Sequence, residues 1–241
     1  MHRRSYLARL GAATGVAALA GCVGDLTGGG GGDPNVTLSA PDKQGNPQDF
    51  AYPGYGQRVP DVTLTDPIAE TDVDVRSVGT PYLMTFVFTH CQTVCPLLTQ
   101  SLKRVQDDAR ENGYGDAVTF LELTFDPARD DAERFRAYAD ERDVDLDAGN
   151  WHFLRAGGPE QTRAVVAANH PDGFGIPYSR SDSGTATATT TAGGTTATDD
   201  GYMFDHLSLI LLVNADGYVE RAYPGPNPPT DRIVDDLSRI R

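Results

Sequence analysis

The sequence predicts an α/β domain built on an open mixed sheet with helices on both faces and an inserted disordered loop. Three observations favour this fold class. The run from Tyr82 to Phe88 is almost entirely apolar or β-branched, as in a buried central strand. Strand-like and helix-like segments alternate after it. Two later strand-like runs are joined by Asn214-Ala215-Asp216-Gly217, whose Asp-Gly end is typical of a hairpin.

The individual elements follow from hydrophobic periodicity and from turn residues. Residues 61–66 alternate polar and apolar side chains, and residues 72–78 supply a partner strand across the turn at Pro67. The apolar positions from Pro96 to Ala109 recur at helical spacing, and Gly113 marks the end of that helix. The other predicted elements are strands at 118–124, 151–154, 207–213 and 218–222, and helices at 129–142, 159–168 and 229–241.

The beginning of the chain has the order of an export signal. Arg3-Arg4 precedes an apolar run over residues 10–21 that is too short to span a bilayer, and the arginine pair indicates the twin-arginine type. Leu19-Ala20-Gly21-Cys22 resembles a lipobox, in which Cys22 becomes the lipidated first residue. The sequence therefore predicts a signal over residues 1–21 and a lipid anchor on the extracytoplasmic face of the cell membrane.

Two segments lack the apolar residues that a core requires. Residues 22–56 contain the run Gly28 to Gly32 and scattered Pro and Gly, which predicts a flexible linker ahead of a folded domain at 57–241. Residues 179–200 are mostly Ser, Thr, Gly and Ala, which predicts a disordered insertion whose ends close near Tyr178 and Tyr202.

The charge of the chain excludes one class of partner. Its formal net charge is -14, and Lys43 and Lys103 are its only lysines. A surface so rich in carboxylates repels the phosphate backbone, so we expect no nucleic acid among its partners.

Apart from Cys22, the chain holds two cysteines, Cys91 and Cys95, between the apolar strand and the helix that follows it. Ligand sites of open α/β sheets collect at this end of the strands, and the first turn of a helix stabilises thiolates. Pro96 is predicted as the first helical residue, with Cys95 at the cap. Two thiolates at this spacing can hold one metal ion or form a disulfide, so the pair alone fits either a metal carrier or a thiol oxidoreductase.

Three segments in the same order resemble the Sco/SenC family of copper-binding assembly proteins, over about residues 57–241. They are Thr89-His90-Cys91-Gln92-Thr93-Val94-Cys95-Pro96, Thr124-Phe125-Asp126-Pro127-Ala128-Arg129-Asp130 and Asp205-His206-Leu207-Ser208. The resemblance implies a thioredoxin-like domain that binds one copper ion through Cys91, Cys95 and His206. It also implies a role in assembling the binuclear copper centre of cytochrome c oxidase subunit II, either by delivering copper or by reducing the cysteines of the recipient.

Donor chemistry agrees with copper. Thiolates favour Cu(I), and imidazole suits both Cu(I) and Cu(II), whereas zinc usually takes a fourth ligand. Asp126, in the second segment, and Asp205, beside His206, are candidates for supporting the ligands. His90 and Met203 are weaker candidates, because a solvated loop position explains the histidine, and core packing explains the methionine, better than a role as ligand.

An enzyme is the alternative reading of the same cysteines. A membrane-tethered thiol-disulfide oxidoreductase or peroxidase would use Cys91 as nucleophile and Cys95 as the resolving thiol. Thioredoxin-type reductants normally place two residues between their cysteines, and this chain has three. A peroxidase of this fold would need a Pro and Thr arrangement that residues 86–90 do not supply.

Overall fold

The computed structural model describes residues 35–41, 46, 49–182 and 202–241. The predicted export signal, Cys22, and most of the predicted insertion lie outside these residues. Within the described residues the chain forms nine strands and four α-helices: β1 (Thr63–Asp66), β2 (Thr71–Asp74), β3 (Tyr82–Val87), α1 (Cys95–Glu111), β4 (Thr119–Thr124), α2 (Ala132–Asp140), β5 (Trp151–Leu154), α3 (Pro159–Val166), β6 (Tyr178–Asp182), β7 (Tyr202–His206), β8 (Leu209–Val213), β9 (Val219–Pro224) and α4 (Thr230–Ser238). None of these helices has the length and apolarity that crossing a bilayer requires.

The central sheet has five strands in the order β5-β4-β3-β8-β9. β3, β4 and β5 run parallel, whereas β8 and β9 are antiparallel to their neighbours, so the sheet is mixed. β3 lies in the middle, and all six of its residues are buried, as its apolar run predicted. The Asp-Gly turn joins β8 to β9, with Gly217 at φ 82°, a conformation that favours glycine.

Alternate residues of the central strands point to two cores, one on each face of the sheet. Leu83 belongs with Leu98 of α1 and Leu237 of α4 on one face, while Met84 belongs with Val166 of α3 on the other. Helices therefore cover both faces, and the predicted fold class is confirmed. α2 is shorter than its apolar pattern predicted because Asp131 caps it, accepting a hydrogen bond from the Arg134 N–H.

β6 and β7 form a two-stranded sheet of their own, which we call the histidine ribbon because His206 is the last residue of β7. The pairing runs from Tyr178 opposite His206 to Asp182 opposite Tyr202. Residues 179–182 were expected to belong to the disordered insertion, but they are paired strand. They are polar because the ribbon exposes one of its edges and faces, so composition alone could not identify them.

A segment ahead of the domain also differs from the flexible linker that was expected to reach residue 56. Leu38 is 4% exposed and packs into one of the two cores. The backbone N–H groups of Thr37 and Leu38 donate to the buried carboxylate of Glu220, at 2.8 and 2.9 Å. We call residues 35–41 the strap. Hydrogen bonds from Asn214 to the Asn35 carbonyl and from Tyr55 to the Leu38 carbonyl also hold it in place.

Candidate metal centre

The cysteines lie where β3 passes into α1. The Cys91 N–H donates to the Phe88 carbonyl at 3.1 Å, which closes a turn directly after the strand. Cys95 is the first residue of α1, with Val94 at the cap, so the helix begins one residue earlier than Pro96. Both cysteines are free thiols, 4% and 0% exposed respectively.

The two thiols differ in acidity because they share a hydrogen bond. The Cys95 side chain donates to Cys91 and lowers the pKa of the Cys91 thiol to about 4, helped by the Cys95 N–H at 3.5 Å. The same hydrogen bond raises the pKa of Cys95, and burial raises it further. Cys91 is therefore the thiolate at neutral pH, and Cys95 keeps its proton.

His206 reaches the cysteines from the ribbon. Its Nε2 lies 3.5 Å from the Cys95 Sγ, and its Nδ1 lies 3.1 Å from the Leu207 carbonyl oxygen. Burial lowers the pKa of His206, so the imidazole is neutral at neutral pH. A proton on Nδ1 then donates to Leu207, which leaves the Nε2 lone pair facing the sulfur. The ring packs against Phe125, with centroids 4.5 Å apart.

This geometry fits a soft metal ion between sulfur and nitrogen. Two ligands of one ion, with metal–sulfur and metal–nitrogen bonds of about 2.3 and 2.0 Å, lie roughly 3.5 Å apart. The distance from Cys95 to His206 has that value. Among the described residues, no set of three Cys, His, Asp or Glu side chains already has the spacing of a metal site. Closing all three ligands around one ion therefore requires a small rearrangement.

The turn between β3 and α1, residues 88–94, carries Cys91, and we call it the cysteine loop. A buried carboxylate, Asp130, holds this loop, and the sequence alone assigned it no role. Asp130 is 0% exposed and accepts hydrogen bonds from the Thr89 N–H at 3.2 Å and the Thr89 hydroxyl at 2.5 Å. The Thr124 hydroxyl donates to it as well. Arg134 completes the support by donating to the Thr89 carbonyl at 3.0 Å. The signal available in the sequence was position, since Asp130 follows a buried strand beside the cysteine strand.

The two predicted supporting aspartates lie differently. Asp126 is 3% exposed and accepts from the Tyr202 hydroxyl of the ribbon at 2.7 Å and from Arg129 of its own loop, so it does not contact the cysteines. Asp205 is exposed, and its charge raises the pKa of His206, although burial outweighs this effect.

The weaker candidates take other positions. His90 is partly exposed, with its Nδ1 3.8 Å from Asp130. Met203 is half-buried and packs against the core. Neither side chain is joined to the cysteine sulfurs by a hydrogen bond, as His206 is to Cys95.

The family model described as SCO1/SenC matches residues 59–241. The chain belongs to the SCO1/SenC family. Among curated proteins it is similar to the human "Protein SCO2 homolog, mitochondrial", with 27% identity over 157 residues, 65% of this chain and 50% of that protein. This SCO1/SenC chain thus spans about half the length of the curated relative.

Solved structures of the SCO1/SenC family share the fold. A SCO1/SenC family lipoprotein from Bacillus anthracis has a TM-score of 0.59 at 22% identity, over 76% of this chain and 94% of that one. BsSco, described as a cytochrome c oxidase assembly protein with a disulfide switch, has 0.53 at 21%, over 78% and 94%. Copper-bound ScoI of Arabidopsis thaliana has 0.53 at 22%, over 74% and 95%. The fold is therefore the thioredoxin-like one of this family.

Proposed function

We propose that this chain binds one copper ion through Cys91, Cys95 and His206 and serves the assembly of the binuclear copper centre of cytochrome c oxidase subunit II. The observation that carries the proposal is the 3.5 Å approach of His206 Nε2 to Cys95 Sγ, with Cys91 hydrogen-bonded to Cys95. Membership of the SCO1/SenC family and the copper-bound ScoI relative support it.

The three side chains suit a metal that must be passed on. Cys91 is already a thiolate, His206 offers a neutral nitrogen, and Cys95 alone must lose a proton when the ion binds. Two thiolates and one imidazole favour Cu(I) over harder cations. A three-coordinate ion also leaves one side open to an incoming thiolate. The ion can therefore pass to the recipient by ligand exchange without being released into solution.

Anaerobic titration of the reduced full chain with Cu(I) tests the proposal. We expect one equivalent to bind, and His206→Ala to weaken binding at least about tenfold, equivalent to 1.4 kcal/mol. His90→Ala is the matched control, because it removes a histidine beside Cys91 that does not face the sulfurs, and it should change affinity less than about twofold. Equal affinities of wild type and His206→Ala would contradict the three-ligand site.

A second function is favoured by the unequal thiols. The Cys91 thiolate would attack a disulfide of the recipient protein, forming a mixed disulfide and releasing one recipient thiolate. Cys95, losing its proton, would then attack the Cys91 sulfur, forming the Cys91–Cys95 disulfide and releasing the second thiolate. Two electrons pass to the recipient, whose cysteines become ready for copper. The disulfide switch of BsSco supports this role.

Variants at Cys91, Cys95 and His206 distinguish copper binding, thiol reduction and the enzymatic alternative. If thiol reduction operates, Cys95→Ser should accumulate the mixed disulfide with a recipient peptide, while His206→Ala should still reduce it. Turnover of a general disulfide substrate or of peroxide that needs Cys91 but survives His206→Ala would place the chain among thiol-disulfide oxidoreductases or peroxidases instead. No reduction by any variant would leave copper binding as the sole role.

We also propose that Cys22 carries a lipid and holds the protein on the extracytoplasmic face of the membrane. The order of charged, apolar and small residues before Cys22 supports this, as does the lipoprotein relative from Bacillus anthracis. In the native host, wild type should fractionate with membranes and Cys22→Ser should be released. Membrane association that persists in Cys22→Ser would contradict the anchor.

A further inference from the structure

The histidine ribbon is not hydrogen-bonded into the central sheet, so side-chain contacts must hold it in place. β6 and β7 pair with each other, apart from the five-stranded sheet. At the His206 end, the Leu207 N–H donates to the Pro177 carbonyl at 3.2 Å. At the other end of the ribbon stands Tyr202, the first residue of β7.

Tyr202 is fixed by side chains from three directions. Its hydroxyl donates to Asp126 at 2.7 Å, and its carbonyl accepts from Arg129 at 3.3 Å. The guanidinium carbons of Arg129 and Arg180 lie 3.6 and 3.7 Å from the centre of its ring. Two guanidinium groups that close cannot share one face, so the ring is held between them. We call Tyr202 and these three partners the tyrosine clamp.

The clamp bridges separate parts of the chain. Asp126 and Arg129 belong to the loop after β4, where they form a buried ion pair. Arg180 belongs to β6, opposite Phe204 of β7. The tyrosine ring therefore joins the loop of the central sheet to both strands of the ribbon. The negative face of an aromatic ring attracts a guanidinium group, so both arginines hold the ring in place.

Position along β7 connects the clamp to the candidate ligand. Tyr202, Phe204 and His206 alternate along one face of the strand. Phe204 packs edge-on against Phe88 at 5.2 Å, just ahead of the cysteine loop. A slip of β7 by one residue would turn all three side chains away, and would replace His206 by Asp205 or Leu207. A ribbon of two short strands sets its register only weakly by itself.

We infer that the tyrosine clamp fixes the register of β7 and so holds His206 within reach of Cys95. Tyr202 is in this view a positioning residue, with Asp126, Arg129 and Arg180 acting through it. The consequence of the clamp for copper binding rests on the proposed function, whereas its effect on the position of His206 does not. The clamp also explains how a long polar insertion can stand next to a candidate ligand without displacing it.

NMR of the reduced, metal-free full chain tests the positioning directly. The ring of Phe125, 4.5 Å from His206, should shift the His206 ring protons away from the values of an exposed histidine. In Tyr202→Leu we expect this shift to be lost. Tyr202→Phe, which keeps the ring between the arginines, should retain most of it. Tyr218→Leu is the matched control, since Tyr218 contacts Arg58 at 5.6 Å on another part of the molecule.

Cu(I) affinity gives the second measurement on the same variants. Tyr202→Leu should lose at least threefold in affinity, up to the loss seen in His206→Ala, and Tyr202→Phe should restore it to within about twofold of wild type. If His206→Ala binds copper like wild type, the proposed function fails, and the NMR result still decides whether the clamp positions His206.

Two results would overturn the inference. One is an unchanged His206 shift in folded Tyr202→Leu. The other is an equal loss of that shift in Tyr218→Leu, which would indicate general destabilisation. If Tyr202→Leu does not fold, Arg180→Gln replaces it, because it removes one face of the sandwich from an exposed position. We then expect His206 proton shifts between those of the wild type and those of an exposed histidine, and shifts unchanged from the wild type would count against the clamp.

Discussion

The cysteine loop and the histidine ribbon bring candidate ligands to one place from unlike supports. The loop continues from β3, the middle strand of the sheet, and Asp130 fixes its backbone from within the core. The ribbon is not hydrogen-bonded into that sheet; it packs against the core through side chains such as Phe204, and Tyr202 holds its far end. The cysteines thus continue directly from the hydrogen-bonded central sheet, whereas the histidine is held in place through side-chain contacts.

The difference suggests how such a site can both hold and release an ion. Segments with few core contacts open locally at a lower free energy than the sheet that supports them. Under the proposed function, opening of the ribbon while the loop stays closed would leave an ion on two thiolates without the imidazole. A recipient thiolate could then take the position of His206.

The largest expected effect is on the free energy of unfolding, and it comes from a substitution that removes the support of the cysteine loop. Asp130→Ala removes the acceptor for two hydroxyls and one N–H, all of them buried, and should lower the free energy of unfolding by about 3 kcal/mol. Urea denaturation measures the change. Asp140→Ala, on the exposed end of α2, is the control and should have an effect below about 0.5 kcal/mol. An Asp130→Ala variant as stable as this control would mean that the loop does not depend on the carboxylate.

Hydrogen exchange should sharpen the comparison without any substitution. Amides bonded across the histidine ribbon should exchange at least about 30-fold faster than those between β3 and β4, a difference of about 2 kcal/mol in opening free energy. Mass spectrometry of peptic fragments from the two regions provides the measurement. Equal protection of both regions would show that the ribbon opens only when the whole domain unfolds.

A smaller effect concerns the pH dependence of the free energy of unfolding, and it arises beside α1, the helix that begins at Cys95. Glu122 of β4 is fully buried, and its carboxyl lies 3.2 Å from the Thr99 hydroxyl, which is also 3.1 Å from the Cys95 carbonyl oxygen. Burial raises the pKa of Glu122 to about 8. The folded state therefore holds a proton that the unfolded state releases above about pH 4.3, and stability falls as pH rises between these values.

Glu122→Gln should remove this dependence because an amide does not ionise. Relative to wild type, the variant should gain about 1 kcal/mol between pH 6 and pH 7, below the limit of about 1.4 kcal/mol per unit for one proton. Urea denaturation at several pH values measures it, with exposed Glu111→Gln as the control. If the two Gln variants show the same pH profile, Glu122 does not carry the proton.

Much of the fold could be predicted from local patterns. The apolar run of β3 identified the central strand, and its end located Cys91 and Cys95, because a buried strand followed by Pro96 leaves little choice of geometry. The hairpin followed from Asp216-Gly217 for the same reason. In each case the chemistry of a few adjacent residues decides the structure.

Features that depend on distant partners could not be predicted in this way. Residues 179–182 are strand because β7 pairs with them, and their own composition favours loop. Asp130 is a polar residue whose burial depends on Thr89 and Thr124, and Leu38 is ordered because Glu220 captures the backbone beside it. Such contacts join residues far apart in sequence, so no local pattern shows them.

The strap and the thiols lie at opposite ends of the central sheet. Glu220, its anchor, lies near the start of β9, which pairs with the end of β8, and β8 in turn meets the start of β3 at Tyr82. Cys91 follows the other end of β3, on the order of 20 Å away along the strand. A partner protein that approaches Cys91 would therefore meet the end of the sheet that lies away from residues 35–41.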